Sequence, residues 1–262
     1  MTHLKVSIVQ MNIDWHSAKS NCHRIEGLLS EQNLETDLIV LPEMFNTGYS
    51  MQPQKIAESM DGDTINWMQK MAKKYSAVIC GSLAISEGNQ YYNRLVWIDS
   101  DGEKHVYDKR HLFSLAGERR VYSSGTNQGI WNYKGWKICT RICYDLRFPV
   151  WCRNTQDYDL IIFVANWPQP RNNAWRTLLK ARAMENMSYC IGVNRIGTDF
   201  NGLSYLGFSG IHDALGERMT PKMIEKEEIA TVELDKVKLN SLRNRLGFLK
   251  DRDRFAIHET VH

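Results

Sequence analysis

Short runs of β-branched and aliphatic residues alternate along the chain with longer stretches in which apolar residues recur at helical spacing. The short runs predict strands over residues 5–10, 37–42, 77–83, 91–99, 104–107, 137–142, 160–165, 189–194, 204–212 and 227–234. The longer stretches predict helices over residues 17–30, 64–74 and 175–187, and another near residues 148–154. Asp101-Gly102 predicts a hairpin turn between two of the strands, and residues 214–217 predict a further turn.

This alternation of strands and helices favours parallel pairing with helices over the sheet faces, while the hairpins add antiparallel neighbours. The pattern therefore predicts an α/β fold with mixed pairing, and it leaves open whether there is one sheet or two. No segment rich in Pro, Gly or Ser divides the chain, and no repeat of fixed period is visible. We therefore expect residues 1–262 to form a single domain.

Composition and charge exclude several classes of partner. The chain has 33 Lys and Arg against 30 Asp and Glu, a formal net charge of +3, which gives no support to nucleic-acid or membrane-surface binding. The first ten residues have a strand pattern rather than that of a signal peptide, and no apolar run approaches the roughly 18 residues of a membrane span. We therefore expect a cytoplasmic protein whose six cysteines are reduced thiols.

Three predicted strands are followed by residues that could carry chemistry. Glu43 follows the strand over residues 37–42, Lys109 follows the returning strand of the hairpin, and Cys143 follows the strand over residues 137–142. In α/β proteins, reactive groups are commonly found just beyond the ends of buried strands. We therefore treat these three residues as one candidate site.

Taken singly, each residue has an ordinary structural interpretation. Glutamates and lysines in loops are usually solvated, and a cysteine at the end of an apolar strand is more often part of the core. Together, however, they form a coherent set, because a thiol needs a base and a nearby positive charge to act as a nucleophile. An ammonium and the backbone N–H after the cysteine can also stabilise the oxyanion that forms on an attacked carbonyl.

The motifs around these residues resemble those of the nitrilase superfamily of carbon–nitrogen hydrolases over nearly the whole chain. Members of this superfamily use a Glu-Lys-Cys triad in that chain order, which Glu43, Lys109 and Cys143 reproduce. The resemblance extends to three further motifs, at residues 115–119, 166–168 and 181–186. Residues 44–49 and 166–171 are most similar to those of the ω-amidase branch, whose members hydrolyse small dicarboxylate monoamides such as 2-oxoglutaramate and 2-oxosuccinamate.

The resemblance implies a four-layer α-β-β-α sandwich with two mixed β-sheets. It also implies a catalytic role for each triad residue: Glu43 as general base, Cys143 as nucleophile, and Lys109 with the backbone N–H of Tyr144 as oxyanion donors. Glu118 occupies the position of a second active-site glutamate. Members commonly dimerise through helices near the active-site layer, so a homodimer or larger homo-oligomer is expected through the helix after Cys143 and the helix over residues 175–187.

A small amide substrate and water would be sufficient for this chemistry, so we expect neither a cofactor nor a metal. The eight histidines form no cluster with the spacing of a zinc site. His111, which follows Lys109 by two positions, is interpreted as a structural hydrogen-bonding residue.

A substrate with a free carboxylate needs a cation at the end opposite the reacting amide. Arg171 is the first candidate, because a guanidinium can bind a carboxylate through two parallel hydrogen bonds. Tyr49, Phe113, Tyr144 and Trp167 are candidates for the pocket wall. Each of these five residues also has an ordinary structural interpretation, as a solvated loop arginine or as a core aromatic residue.

Other functions remain open at this stage. A related enzyme could hydrolyse an N-carbamoyl amine, an aliphatic amide or a nitrile, because these activities differ mainly in the pocket loops. A non-catalytic binding protein is a second alternative, although the chain retains Glu43, Lys109, Cys143 and Glu118. A papain-like peptidase is disfavoured, because the surroundings of Cys143 lack the corresponding signature and no histidine stands in a partner motif.

Overall fold

The computed structural model describes residues 1–257. Its strands are β1 (His3–Gln10), β2 (Leu38–Val40), β3 (Val78–Glu87), β4 (Gln90–Ile98), β5 (Lys104–Asp108), β6 (Ile130–Tyr133), β7 (Trp136–Ile142), β8 (Leu160–Ala165), β9 (Tyr189–Asn194), β10 (Ile196–Thr198), β11 (Ser204–Leu206), β12 (Gly210–His212) and β13 (Glu228–Asp235). Its α-helices are α1 (Ala18–Ser30), α2 (Pro53–Ile56), α3 (Asp63–Tyr75), α4 (Pro149–Cys152), α5 (Asn172–Asn186) and α6 (Lys236–Leu246).

The fold contains two mixed β-sheets with similar strand arrangements. The six-stranded sheet has the order β13-β1-β2-β3-β4-β5, and the five-stranded sheet has the order β12-β9-β8-β7-β6. In each sheet three adjacent strands run parallel, β1-β2-β3 in one and β7-β8-β9 in the other, and antiparallel strands flank them. Parallel neighbours need crossover connections, which here contain α1 and α3 for the first sheet and α4 and α5 for the second.

The burial of alternate strand residues defines four layers. Leu38 and Val40 of β2 belong to a core between the two sheets that also contains Trp97 and Trp136. Ile39, which points to the opposite face of β2, belongs to a second core that joins the first sheet to α1 and α3. A third core joins the second sheet to α5. Helices, sheet, sheet and helices therefore stack as an α-β-β-α sandwich, which confirms the predicted fold class.

The predicted strand over residues 204–212 is wrong as a single element. It divides into β11, which pairs with β10 in a separate two-stranded hairpin, and β12, which pairs with β9. Between them Gly207 and Phe208 have φ angles of 74° and 56°, which an extended strand cannot contain. Gly207 also packs against the side chain of Gln10, whose Oε1 would lie 2.0 Å from an added Cβ.

Four elements lacked a recognisable pattern in the sequence. These are the short strands β6 and β10, the single-turn helix α2, and α6. Leu239 of α6 is fully buried, and Leu242 and Leu246 pack beside it while partly exposed, so the apolar stripe of this helix is narrow. Its N-terminus is capped by Asp235, whose side chain accepts a hydrogen bond from the backbone N–H of Lys238. Within residues 1–257, no helix is both long enough and apolar enough to span a bilayer.

Two glycine-to-alanine substitutions should affect stability with opposite signs. Gly192 lies in β9 under α5, and an added Cβ would lie 2.4 Å from Leu179 Cδ1, so Gly192→Ala should destabilise the fold by about 1–3 kcal/mol through overpacking. Gly27 lies inside α1 with nothing within 4 Å of an added Cβ. Gly27→Ala should therefore stabilise the fold by about 0.5–1 kcal/mol.

Urea unfolding of both variants and the wild type measures these changes. Equal unfolding midpoints for Gly192→Ala and the wild type would contradict the close packing of α5 on β9.

Candidate active site

The structure brings together the three strand ends that the sequence singled out. Glu43 follows β2 of the first sheet, Lys109 follows β5 of the same sheet, and Cys143 follows β7 of the second sheet. Lys109 Nζ lies 2.9 Å from Glu43 Oε1, although 66 positions separate the two residues. All three residues lie at one end of the sandwich, where Lys109 and Cys143 face a common cavity.

Glu43 is fully buried and is held by donors on both carboxylate oxygens. Oε1 accepts hydrogen bonds from Lys109 Nζ at 2.9 Å and from Asn93 Nδ2 at 2.8 Å. Oε2 accepts the backbone N–H of Asn166 at 2.7 Å, and the Asn166 side chain donates to the Glu43 carbonyl at 2.6 Å. Asn166 follows β8, so these bonds join Glu43 of the first sheet to the second sheet.

Lys109 lies between two carboxylates. Its Nζ is also 3.0 Å from Glu118 Oε1, and all three side chains are buried. Glu118 is oriented by the backbone N–H of Phe113, which donates to Oε2 at 2.6 Å. Burial alone would lower the pKa of Lys109, but the charges of Glu118 and Glu43 raise this pKa well above its ordinary value. Lys109 is therefore an ammonium ion at neutral pH.

Cys143 stands at a sharp turn in the backbone. It directly follows β7, has a φ of 42°, and begins a 3₁₀ turn over Cys143–Arg147. A positive φ is unfavourable for a residue with a Cβ and is found at functional sites that the surrounding structure holds in place. Burial and then the charge of Glu43 raise the pKa of Cys143 well above its ordinary value, and Lys109 offsets only part of this effect. The resting side chain is therefore a neutral thiol.

The other five cysteines have different surroundings. Cys22, Cys80, Cys139, Cys152 and Cys190 are buried and free of disulfide bonds, and burial raises the pKa of each. Cys143 is the one cysteine of residues 1–257 that is not fully buried and that lines the cavity.

Asp145 fixes the turn that carries Cys143. Its Oδ2 accepts the backbone N–H of Ile142 at 3.0 Å and the hydroxyl of Tyr107 at 2.8 Å. Its Oδ1 accepts the backbone N–H of His111 at 3.0 Å and lies 2.8 Å from His111 Nδ1. Burial opposes ionisation of Asp145, but the hydrogen bonds from His111 and Ile142 outweigh it and hold the pKa below its ordinary value. Asp145 thus ties the segment that carries Lys109 to the turn that carries Cys143.

A cavity of about 450 Å³ opens above Cys143. The four aromatic residues and the arginine expected at the substrate pocket all line it: Tyr49, Phe113, Tyr144, Trp167 and Arg171. Its outer wall includes Trp15 and Phe200, whose rings stack with centroids 5.3 Å apart. Phe200 lies in the loop of the β10–β11 hairpin. Tyr205 of β11, which belongs to the segment in which the strand prediction failed, also lines the pocket.

The sequence reasoning missed a second cation in the pocket, Arg147. Its guanidinium carbon lies 4.9 Å from the ring centroid of Trp167, while that of Arg171 lies 5.3 Å from the ring centroid of Phe113. No carboxylate within residues 1–257 forms a salt bridge with either arginine. The sequence offered one signal for Arg147: it lies four residues after Cys143, in the segment that directly follows this cysteine.

Asn93 was missed as well. It lies in the buried part of β4 and donates to Glu43 at 2.8 Å and to Glu118 at 3.2 Å. An amide close to the apolar residues 95–98 of β4 was the signal, because a buried amide needs hydrogen-bond partners.

Within residues 1–257, no group of three or more His, Cys, Asp or Glu side chains converges in a way that could hold a metal ion. The interpretation of His111 as a structural hydrogen-bonding residue agrees with its contacts. Besides its bond with Asp145, the imidazole stacks on Phe148 with ring centroids 3.7 Å apart.

Comparison with known proteins defines the class of the chain. The model of the carbon–nitrogen hydrolase family matches residues 5–244, and the chain belongs to this family. A protein named omega-amidase YafV, from Yersinia enterocolitica, is 40% identical over 98% of this chain and 100% of its own length. A protein named 2-oxoglutaramate amidase, from Bacillus subtilis, is 32% identical over 88% of this chain and 90% of its own length.

A solved structure has the same fold. It is XC1258 from Xanthomonas campestris, described as a CN-hydrolase superfamily protein with an arsenic adduct in the active site. It is 39% identical, covers 98% of this chain and 100% of its own, and superposes with a TM-score of 0.95. The prediction of nitrilase-superfamily membership and of resemblance to the ω-amidase branch is confirmed, and the chain is a carbon–nitrogen hydrolase.

Replacing the Asp145 carboxylate should destabilise the protein in a pH-dependent way. Asp145→Asn should cost about 3–5 kcal/mol near pH 7, because it removes a buried charge whose partners remain. The folded-state pKa lies below the ordinary value of 3.8, so the carboxylate stabilises the fold above that pH and loses this effect as the pH falls through the folded pKa. The difference from the wild type should therefore stay constant above about pH 5 and shrink as the pH falls below 3.8, as measured by urea unfolding at about pH 6 and about pH 3.

Asp101→Asn, in an exposed hairpin turn, is the matched control and should show a small difference at both pH values. A pH-independent difference for Asp145→Asn would contradict an ionised Asp145.

Proposed function

We propose that this enzyme is an ω-amidase that hydrolyses the terminal amide of a small dicarboxylate monoamide, with 2-oxoglutaramate or 2-oxosuccinamate as substrate. One arrangement carries the proposal: the cavity has Cys143 and Lys109 at its base and two arginines on its wall. The names of the relatives from Yersinia enterocolitica and Bacillus subtilis support the same reaction.

The first half of the reaction forms a thioester. Cys143 Sγ attacks the amide carbon while its proton passes to the Glu43 carboxylate, which is the general base. The carbonyl oxygen becomes an oxyanion that Lys109 Nζ and the backbone N–H of Tyr144 stabilise. Tyr144 follows Cys143 at the start of a 3₁₀ turn, where N–H groups lack acceptors within the turn. Glu43 then protonates the amide nitrogen, the C–N bond breaks, and ammonia leaves.

The second half releases the acid. A water molecule gives a proton to Glu43 as its oxygen attacks the thioester carbon, and the same two donors stabilise the second oxyanion. The C–S bond then breaks, Cys143 recovers a proton from Glu43, and the product acid leaves and gives its remaining proton to water or ammonia, which yields the 2-oxo dicarboxylate. Glu118 accepts a second hydrogen bond from the Lys109 ammonium, so its role in this scheme is to fix the position of that ammonium.

The wall of the cavity supplies recognition of the distant carboxylate. Arg147 and Arg171 lie against the aromatic rings of Trp167 and Phe113, which restrict their motion without using their hydrogen-bond donors. A guanidinium held in this way can bind a carboxylate through two hydrogen bonds. A monoamide with a free carboxylate would therefore place its amide at Cys143 and its charged end between the arginines.

The remaining proposals concern the state of the protein in the cell. We propose one catalytic domain, because the site combines residues from Glu43 to Arg171 and both sheets. We propose a homodimer in which α4 and α5 meet their copies, which is supported by the exposed side chains of Val150 (57%) and Met184 (45%) on these helices. A reducing compartment such as the cytoplasm is proposed because the mechanism requires Cys143 as a free thiol.

Cys143→Ala should lower ammonia release from 2-oxoglutaramate by at least about 10⁴-fold, because no other group forms the thioester. Steady-state ammonia assays and intact-mass detection of a covalent adduct test this. Cys22→Ala, which removes a buried thiol of α1, is the control and should retain both activity and adduct formation. Turnover in Cys143→Ala at the wild-type rate would refute the nucleophile assignment.

Arg147→Ala and Arg171→Ala should each raise KM for 2-oxoglutaramate by about 10- to 100-fold, the usual effect of losing a hydrogen bond to a charged group. KM for an uncharged amide such as butyramide should change little. The comparison of both substrates in both variants assigns the carboxylate site to one arginine or to the pair. Equal changes for charged and uncharged amides would remove that arginine from substrate recognition.

A further inference from the structure

Glu43 and Glu118 share two donors, Lys109 and Asn93. Asn93 Nδ2 lies 2.8 Å from Glu43 Oε1 and 3.2 Å from Glu118 Oε1, so its two amide hydrogens are divided between the two carboxylates. Lys109 Nζ contacts the same two oxygens at 2.9 Å and 3.0 Å. The neutral amide therefore duplicates the contacts of the ammonium ion.

The two oxygens of Glu43 are consequently unequal. Oε1 already accepts two hydrogen bonds, from Lys109 and Asn93, which occupy its two lone-pair positions. Oε2 accepts one, from the backbone N–H of Asn166 at 2.7 Å. One lone-pair position of Oε2 is left for a proton.

We propose that Asn93 is a positioning residue of the reaction, which fills Glu43 Oε1 and thereby directs the proton of Cys143, and later that of water, to Oε2. The inference rests on the proposed role of Glu43 as general base. Asn93 touches neither the substrate nor the thiol. It acts through Glu43, and through Glu118 on the ammonium that stabilises the oxyanion.

A hydrogen bond from Ser82 fixes the orientation of the Asn93 amide. Ser82 Oγ donates to Asn93 Oδ1 at 2.9 Å and itself accepts the backbone N–H of Met44, also at 2.9 Å. A flipped amide would turn its carbonyl oxygen toward two carboxylates and its NH₂ group toward the Ser82 hydroxyl, so one orientation is strongly favoured. The backbone of Asn93 adds a further link, because its carbonyl accepts the N–H of Lys109 at 3.0 Å.

The loss of Asn93 should shift the pH dependence of the reaction in a predictable direction. The titratable groups that face Glu43 and Glu118 are Lys109, Cys143, Tyr49 and Tyr122. Lys109 is the one cation in this group, so removal of Asn93 leaves two carboxylates that depend on a single ammonium for charge stabilisation. Ionisation of the base becomes less favourable, and the acidic limb of the pH profile should move to higher pH.

The test measures kcat and KM for ammonia release from 2-oxoglutaramate between pH 5 and pH 9. Asn93→Leu, which keeps the approximate volume and removes both donors, should move the acidic limb of kcat/KM upward by about one to two pH units. At its new optimum kcat should be about 10- to 100-fold lower, while KM should stay within about threefold of the wild type. Asn93→Asp, which keeps the shape and adds a third carboxylate, should move the limb further in the same direction.

Asn154→Leu is the matched control. Asn154 is also a fully buried asparagine whose amide donates twice, to the carbonyls of Tyr158 and Asn186, and it does not line the cavity. This variant should lose thermal stability without a shift of the acidic limb.

Two results would overturn the inference. The first is that Asn93→Leu has the same pH profile and the same kcat as the wild type. The second is that a correctly folded Asn93→Asp variant has the acidic limb of its kcat/KM profile at the same pH as the wild type. If Asn93→Leu fails to fold, the Asn93→Asp profile decides. Failure of the proposed function is distinguishable, because wild-type enzyme would then release no ammonia or Cys143→Ala would remain active.

Discussion

The site depends on one buried ammonium ion, that of Lys109, held between the carboxylates of Glu43 and Glu118. Burial of three charged groups is unfavourable unless every charge is paired and hydrogen-bonded. One cation cannot balance two anions, so the surroundings must supply additional donors. The amide of Asn93 and the backbone N–H groups of Asn166 and Phe113 provide them. This requirement explains why polar groups occupy positions in and beside strands that are otherwise apolar.

A second constraint is that the parts of the site come from different sheets. Glu43 and Lys109 extend from the first sheet and Cys143 from the second, so their geometry depends on how the two sheets are packed. The inter-sheet core sets the spacing, and Asp145 sets the local alignment by binding Tyr107 of β5, His111 and the backbone N–H of Ile142. Asp145 forms these contacts without facing the cavity.

Much of this arrangement could be predicted from the sequence, because a strand that is buried on both faces of its sheet consists mainly of consecutive apolar residues. The bounds predicted for β8 and β9 agree with the structure, since both are unbroken apolar runs. Glu43 and Cys143 could be identified because each follows a largely buried strand, and Lys109 because it follows the returning strand of the hairpin. Asn93 and Arg147 were missed because their local signals are weak and their importance arises from partners distant in sequence. The interruption of the predicted strand at Gly207 was not visible in the sequence either, because it depends on contact with Gln10, almost 200 positions earlier in the chain.

The neutral state of the Cys143 thiol has a consequence for the durability of the protein. Peroxides and similar oxidants react with thiolates far faster than with thiols, so susceptibility follows the population of the anion. Burial and then the negative charge of Glu43 disfavour that anion at rest. In the proposed mechanism, the sulfur therefore becomes strongly nucleophilic only as its proton leaves during attack on a bound carbonyl. In that mechanism, the same burial and the proposed general base also protect the sulfur from oxidative damage between turnovers.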